Sequence, residues 1–113
     1  MAAETFYIKQ SDLLPLLRAT LKDGAGVAVN LTGSTVVFSM RDLIANTLKI
    51  NEAAVTIITP ASGIVEYTWV TANTDTAGTF TGEFEVTDTG GKPLTFPNSR
   101  ANQLLIVIEG QLQ

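Results

Sequence analysis

The sequence predicts an all-β fold, an antiparallel β-sandwich of about eight or nine short strands. Apolar and polar residues alternate along many short segments, which is the side-chain period of a strand with one buried face. Groups of turn-forming residues separate these segments roughly every eight to twelve residues, a spacing typical of sandwiches. With 113 residues, of which 45% are hydrophobic, the chain can bury one core, so we expect a single domain over residues 1–113.

The clearest strand lies in residues 75–87, which read DTAGTFTGEFEVT. From residue 79 onward, one face is apolar and the other carries threonine and glutamate; the apolar face holds Phe80, Gly82, Phe84 and Val86. The polar lead-in at residues 75–78 predicts a tight corner. This run is similar to the one that opens strand F of immunoglobulin-like domains, where a tyrosine forms a corner. Phe80 has no hydroxyl group, so the resemblance implies only a packing role for it.

The N-terminal third is predicted to contain short strands joined by tight turns. A first strand covers residues 4–10. Residues 13–22 allow two interpretations, because their leucines have helical spacing while their alternation of apolar and polar residues fits a strand. We favour the strand, because residues 23–26 (DGAG) form a hairpin turn and residues 27–29 lead back from it.

Further strands follow with the same alternation. Residues 34–41 place Val36, Phe38 and Met40 on one face, and residues 42–48 are predicted to be an irregular connector. One strand is expected over residues 49–59, with Ala53, Val55 and Ile57 on one side. After a turn at residues 60–63, the strand over 64–70 places three large side chains on a common face: Val65, Tyr67 and Trp69.

The C-terminal part predicts a hairpin and a closing strand. Residues 88–91 (DTGG) are a strong hairpin turn, and residues 93–96 form a brief edge strand held short by Pro93 and Pro97. Residues 103–109 form the last strand, which is apolar on both faces. This pattern indicates either a central strand or a strand covered by another subunit.

Composition excludes several kinds of chemistry. The chain has no cysteine and no histidine, which removes disulfides, thiol nucleophiles, catalytic triads and most zinc sites. The formal net charge is −4 and the seven lysine and arginine residues are scattered, so no nucleic-acid partner is expected. No apolar run is long enough to cross a membrane, and the N-terminus does not resemble a secretory signal. We expect no enzymatic activity, cofactor or metal.

Three groups of polar or aromatic residues are candidate chemical sites. Glu83 and Glu85, with Glu66 on a neighbouring strand, could serve glycosidic chemistry, but a solvated sheet face is the favoured interpretation. The other two groups carry similar alternatives. The carboxylate and amide oxygens of Asn73, Asp75 and Asp88 could bind calcium. The favoured interpretation is that these side chains form hydrogen bonds with the backbone of their own turns. Tyr67 and Trp69 could form an exposed platform on which a sugar stacks, but the favoured interpretation places both rings in the core.

Two apolar groups are the predicted partner interface. Leu43, Ile44 and Leu48 cluster in the connector, where they either tuck under the sandwich or form a contact patch. Leu105 and Val107 lie on the outer face of the last strand and are the second candidate.

The whole chain resembles a family of small tailed-phage structural proteins related to the immunoglobulin-like N-terminal domain of phage baseplate upper proteins. The matching segments occur in order at residues 8–23, 29–42, 63–69, 75–88 and 92–98, reading IKQSDLLPLLRATLKD, VNLTGSTVVFSMRD, GIVEYTW, DTAGTFTGEFEVTD and KPLTFPN. The sequence departs from the family pattern at Phe80, where a tyrosine is usual, and in the more apolar connector at residues 42–48.

The resemblance implies a non-enzymatic virion component, a small adaptor or decorating subunit on a phage tail, baseplate or capsid. Its partners would be other phage structural proteins and copies of itself, and its location the virion, after assembly in the host bacterial cytoplasm. The alternative is a carbohydrate-binding or adhesion module for a host-surface glycan. A hydrolase using Glu83 or Glu85 is the third hypothesis.

Overall fold

The computed structural model describes residues 4–23, 25–96 and 104–111. Within these residues the chain forms nine strands, a 3₁₀ turn at Pro60–Ser62 and one short helix, α1 (Thr71–Thr74). The strands are β1 (Glu4–Lys9), β2 (Leu17–Thr20), β3 (Thr35–Asp42), β4 (Leu48–Ala54), β5 (Thr56–Thr59), β6 (Ile64–Tyr67), β7 (Gly78–Thr87), β8 (Pro93–Phe96) and β9 (Leu104–Glu109). Three residues of the predicted elements, Gly24, Pro97 and Gln103, lie outside the described residues.

The strands form two sheets, which confirms the predicted all-β sandwich. The larger sheet has the order β1-β9-β7-β3-β4, with β8 also paired to β7, and the smaller sheet has the order β2-β6-β5. The first and last strands, β1 and β9, pair in parallel, so the larger sheet is mixed rather than wholly antiparallel. A parallel pair needs a long connection. The whole chain between β1 and β9 provides it.

Strand β7 is the centre of the larger sheet, as its alternation predicts. It pairs with β3 along one side, and with β9 and then β8 along the other. Its apolar face is buried at Phe80, Gly82, Phe84 and Val86. Phe80 is packed in the core, which is the role left to it without a hydroxyl group.

An aromatic cluster joins the two sheets. The ring centroid of Phe38, on β3, lies 4.9 Å from that of Tyr67 on β6 and 4.9 Å from that of Phe84 on β7. Trp69 meets Tyr67 edge-on, with centroids 5.3 Å apart and an interplanar angle of 88°. Tilted and edge-on pairs at these distances are favourable, so the cluster stabilises the stacking of the sheets.

The prediction of one strand over residues 49–59 is wrong, because β4 and β5 belong to different sheets. The chain crosses between them at Val55, whose amide bonds to the carbonyl of Val36 at 3.2 Å. Ala53, Val55 and Ile57 pack against the same core on both sides of the crossing. The alternation therefore continues through the corner and does not reveal it.

Strand β4 is an edge of the larger sheet and is irregular. Its register with β3 shifts twice, once on each side of the Met40–Ile50 pair. Glu52 has a left-handed φ of 53°. Its amide donates a hydrogen bond to the Ser39 hydroxyl oxygen at 3.0 Å, instead of to a backbone carbonyl of β3. These are β-bulges, which interrupt the hydrogen-bonding row of an edge strand.

Two smaller differences concern local elements. The favoured strand within residues 13–22 is confirmed, although β2 covers only Leu17–Thr20 and its return arm forms a single bridge between Lys22 and Ala28. The four-residue helix α1 was not predicted, because one turn is too short to show a helical period. Among the described residues, no helix is long and apolar enough to cross a membrane.

Candidate functional site

The connector between β3 and β4 has no regular secondary structure, as predicted, and hydrogen bonds order it as a turn. The Asp42 Oδ1 atom accepts hydrogen bonds from the amides of Ile44 at 2.8 Å and Ala45 at 2.9 Å. The Asn46 amide donates to the Asp42 carbonyl at 2.9 Å, and Asn46 takes a left-handed φ of 56°. Aspartate and asparagine commonly close turns in this way. The turn therefore holds its apolar residues in one defined conformation.

The apolar residues of this connector are exposed, so the alternative that they tuck under the sandwich is wrong. Ile44 is 91% exposed at the tip of the turn, and Leu43 and Leu48 are each about half exposed. The Leu43 amide donates to the carbonyl of Thr79 at 3.1 Å, which attaches the turn to β7.

The second apolar group lies on the outer face of β9, where Leu105 and Val107 are partly buried. Strand β9 runs between β1 and β7, so the predicted central position is correct and accounts for its two apolar faces. The inward residues Ile106 and Ile108 are in the core.

The strand register brings both groups onto one end of the outer face. Leu105 pairs with Thr81, Thr81 with Arg41, and Arg41 with Leu48. Two residues further along the strands, the next row of outward-facing residues pairs Tyr7 with Val107 and Val107 with Thr79. The Leu43 amide donates to the Thr79 carbonyl, so the connector lies next to this row. We call the resulting surface the outer band, defined by Tyr7, Leu43, Ile44, Leu48, Leu105 and Val107.

Tyr7 is a member of this surface although its neighbours on the same face of β1 are polar. Its side chain is 59% exposed, between the polar Thr5 and Lys9 on the same face of β1. An exposed aromatic ring on a strand next to an apolar outer face is a signal of binding, but the pairing of β1 with β9 was needed to see it.

A shallow depression of about 120 Å³ lies beside the outer band. It is lined by residues of three adjacent strands, Ser39, Arg41, Leu48, Thr81 and Glu83. Arg41 bonds to the carbonyl of Asn46 at 3.2 Å, so the connector turn also fixes one wall. The depression combines one positive, one negative and one apolar side chain.

Tyr67 and Trp69 are buried, which confirms the core interpretation and removes the sugar platform. The Tyr67 hydroxyl donates to Asn73 Oδ1 at 2.7 Å, and Trp69 Nε1 donates to the Pro15 carbonyl at 3.1 Å. Burial raises the pKa of the Tyr67 hydroxyl, while its bond to Asn73 acts in the opposite direction.

The candidate acids are not brought together. Glu83 and Glu85 lie on β7 of the larger sheet, whereas Glu66 lies on β6 of the smaller sheet and is paired with Arg18 at 3.0 Å. The expectation that Glu66 neighbours the other two is therefore wrong. The glutamates have the arrangement of solvated sheet faces.

The candidate calcium ligands are occupied by local bonds. Asp75 accepts a hydrogen bond from Lys49 Nζ at 2.6 Å, and this bond holds the pKa of its carboxyl below the usual value. Asp88 Oδ1 accepts from the amides of Gly90 and Lys92 at 2.9 Å each, in the β7–β8 turn at the opposite end of β7. Asn73 Oδ1 accepts from Tyr67 and from the Val70 amide. The described parts of the chain contain no group of three or more acidic residues placed to hold a metal.

No family model matches the sequence, and no curated protein matches it. The fold is similar to that of a solved structure, CopC from Methylosinus trichosporium OB3b. The two share 11% sequence identity with a TM-score of 0.55, over 98% of this chain and 89% of that one. At this identity the similarity concerns the fold alone.

Proposed function

We propose that this protein is a non-enzymatic structural component of a tailed-phage virion, a small adaptor or decorating subunit that docks through one end of its sandwich. The observation that carries the proposal is the outer band, in which the two apolar groups expected to contact partners form one surface. The resemblance across five segments of the sequence supplies the phage setting.

The distribution of exposed apolar side chains supports a docking end. Of the ten large hydrophobic residues exposed in the described part of the chain, seven lie near the end formed by residues 7–16, 42–48 and 70–77. These seven are Tyr7, Leu13, Leu14, Leu43, Ile44, Leu48 and Val70. The opposite end carries the polar turn at residues 88–91. Such asymmetry is typical of a domain that attaches by one end.

The rigidity of the connector turn also favours docking. Its hydrogen bonds include two to Asp42 Oδ1, one to the Asp42 carbonyl, one to the Thr79 carbonyl and one from the Asp42 amide to the Thr47 carbonyl. An apolar residue displayed on a pre-ordered turn loses little conformational entropy on binding, so more of the contact energy remains as affinity. Ile44 is therefore the side chain that we expect to pack into a pocket on the partner protein.

Repetition of the subunit supplies the remaining affinity. A virion presents many identical sites in a symmetric array, and linked contacts strengthen one another without new interactions. The proposed site of action is the virion, with assembly in the host bacterial cytoplasm. A glycan-binding module is less well supported, because its two aromatic residues, Tyr67 and Trp69, are buried.

The test is to locate the chain in phage particles. Particles should be assembled with the wild-type chain, with Ile44→Asp, and with Val27→Asp as a control that places the same charge on an exposed residue at the other end. The wild type and the control are expected in purified particles, at a fixed position in cryo-electron microscopy maps, and Ile44→Asp is expected to be lost. Absence of the wild-type chain from the particles would refute the proposal.

A further inference from the structure

We propose that two copies of this chain pair edge to edge through β1, with a two-fold axis normal to the larger sheet that passes between their Phe6 residues. The two β1 strands run antiparallel to each other, so the larger sheets of both copies form one continuous sheet. This inference rests on the proposed function, because it names one contact between copies of a subunit that works in many copies.

Strand β1 is an edge strand with a regular hydrogen-bonding pattern. It pairs with β9 over six consecutive residues without a register shift, and within residues 4–23, 25–96 and 104–111 no other strand pairs with it. The other edge strands resist the addition of a further strand, because they are short or bulged. Strands β2, β5 and β8 have four residues each, and β4 contains two register shifts. Strand β1 is therefore the edge best suited to pair with another strand.

The direction of the backbone groups shows which residues of β1 can pair outward. The Gln10 amide donates to the Glu109 carbonyl at 2.7 Å, so Gln10 faces β9. Successive residues of a strand point their amides and carbonyls to opposite sides. Thr5 and Tyr7, at odd positions, therefore turn these groups away from β9 and toward the edge. They are the donors and acceptors that a second strand can use.

One register satisfies the groups of both residues. The Lys9 carbonyl already accepts the Asp12 amide at 3.1 Å, and the chain turns there, so the pairing is confined to the residues before Lys9. When Phe6 lies opposite Phe6 of the second copy, Thr5 of each copy lies opposite Tyr7 of the other. Each of these Thr5–Tyr7 pairs exchanges both of its amide–carbonyl hydrogen bonds, as in an ordinary antiparallel ladder.

The side chains of β1 also match under this two-fold axis. Phe6 is partly buried on the inner face of the sheet, where its ring centroid lies 5.8 Å from that of Trp69. The axis sets a second Phe6 beside the part that remains exposed, so apolar surface covers apolar surface. On the outer face, Tyr7 meets Thr5 of the other copy, and aromatic and β-branched residues stabilise each other across strands. These matches favour a second copy over an unrelated strand.

Pairing at β1 places the outer bands of both copies on the same side of the dimer. A two-fold axis normal to the sheet keeps the two outer faces pointing in one direction, and Tyr7 of each copy lies near the axis, beside Val107. Two-fold dimers are the commonest symmetric assemblies of identical chains. The dimer thus presents two docking surfaces together, and two linked contacts bind more tightly than one.

A proline substitution tests the backbone pairing. Thr5→Pro removes an amide that faces away from β9, and proline is tolerated on the free side of an edge strand, so the fold is expected to persist. By sedimentation velocity, the wild type should be a dimer and Thr5→Pro should dissociate at least about tenfold more readily, because one hydrogen bond is lost from each Thr5–Tyr7 pair.

Two further variants are controls for the same measurement. Thr5→Val keeps both the amide and a branched side chain, so it should dimerise like the wild type. Ile44→Asp should also remain dimeric, because Ile44 lies on the connector turn and not on β1.

Single cysteines test the register. The chain has no cysteine, so each variant carries one thiol. In a mixture of Thr5→Cys and Tyr7→Cys, the two substituted residues face each other with Cα atoms about 5.5 Å apart, within reach of a disulfide. In either variant alone, the two copies of the substituted residue are offset by roughly 7 Å along the strands, which is too far to bridge. Oxidation should therefore crosslink the mixture much faster than either variant alone.

The inference is overturned if the wild type remains monomeric up to about 1 mM, the weak limit for a specific contact. Crosslinking of the mixture that is no faster than that of the separate variants also overturns it, as does a Thr5→Pro protein that dimerises like Thr5→Val. If Thr5→Pro does not fold, the cysteine pair decides alone. None of these results affects the proposed function, which depends on the presence of the chain in particles.

Discussion

The hydroxyl of Tyr67 donates a 2.7 Å hydrogen bond to Asn73 Oδ1, and both side chains are buried. The same oxygen accepts the amide of Val70 at 2.9 Å, at the start of α1. One amide side chain thus satisfies a buried tyrosine in the smaller sheet and orders the segment that leads into β7. This contact is a junction between the core and the end of the sandwich that we propose to dock.

We expect Asn73→Ala to destabilise the fold by about 2–4 kcal/mol, because it leaves the Tyr67 hydroxyl without its acceptor and removes a helix cap. Tyr67→Phe removes the same bond but leaves no unsatisfied group, so about 1 kcal/mol is expected. Urea denaturation followed by tryptophan fluorescence measures both. Thr71→Ala, at an exposed position of the same helix, is the control and should change the free energy of unfolding by less than about 0.5 kcal/mol. Equal midpoints for Asn73→Ala and the control would contradict the assignment.

Alkaline pH should destabilise the protein through Tyr67. Burial raises the pKa of its hydroxyl above the ordinary value of 10.0. The unfolded chain therefore loses this proton first, and stability falls as the pH rises from about 10 through the raised folded pKa. Thermal unfolding measured from pH 8 upward should show a steeper loss for the wild type than for Tyr67→Phe. Parallel curves for the two proteins would show that another group causes the loss.

Acid should remove the contribution of the Lys49–Asp75 pair. The hydrogen bond from Lys49 lowers the pKa of the Asp75 carboxyl below 3.8, so this contribution is present above that pH and is lost as the pH falls through the folded pKa. Asp75→Asn should have a lower melting temperature than the wild type at pH 7, and the gap should close as the pH falls through the folded pKa of Asp75. Lys49→Met should behave in the same way, and a gap that persists in acid would contradict the pairing.

Gly82 has no room for a side chain. A Cβ atom at this position would lie 2.7 Å from Ile106 Cδ1 and 2.8 Å from Phe38 Cε1. Gly82→Ala should therefore cost about 1–3 kcal/mol through overpacking of the core. Gly110→Ala, where the nearest atom is 4.0 Å away, is the matched control in chemical denaturation. An unchanged midpoint for Gly82→Ala would mean that the side chains of Ile106 and Phe38 move aside at little cost.

The strands and their buried faces were predictable because each alternation records one local environment. The inward residues of β7 and β3 were identified correctly for this reason. The corner at Val55 was not, because both sheets bury the same side of the chain there. Tyr7 was missed for a related reason: whether an exposed residue belongs to a binding surface depends on the neighbouring strand, and the parallel pairing of the two ends of the chain is a long-range contact. The connector turn shows the same limit, since its apolar residues were noticed but the bonds from Asp42 that order it were not.

The bulged edge strand β4 affects how molecules of this chain can meet edge to edge. Two register shifts against β3 bend β4 and increase its twist, so the amides and carbonyls that it turns to solvent do not form one straight row. A strand from a neighbouring molecule therefore fits poorly along the whole length of this edge. At this edge, concentrated copies of the chain are thereby protected from the strand addition that begins fibre formation.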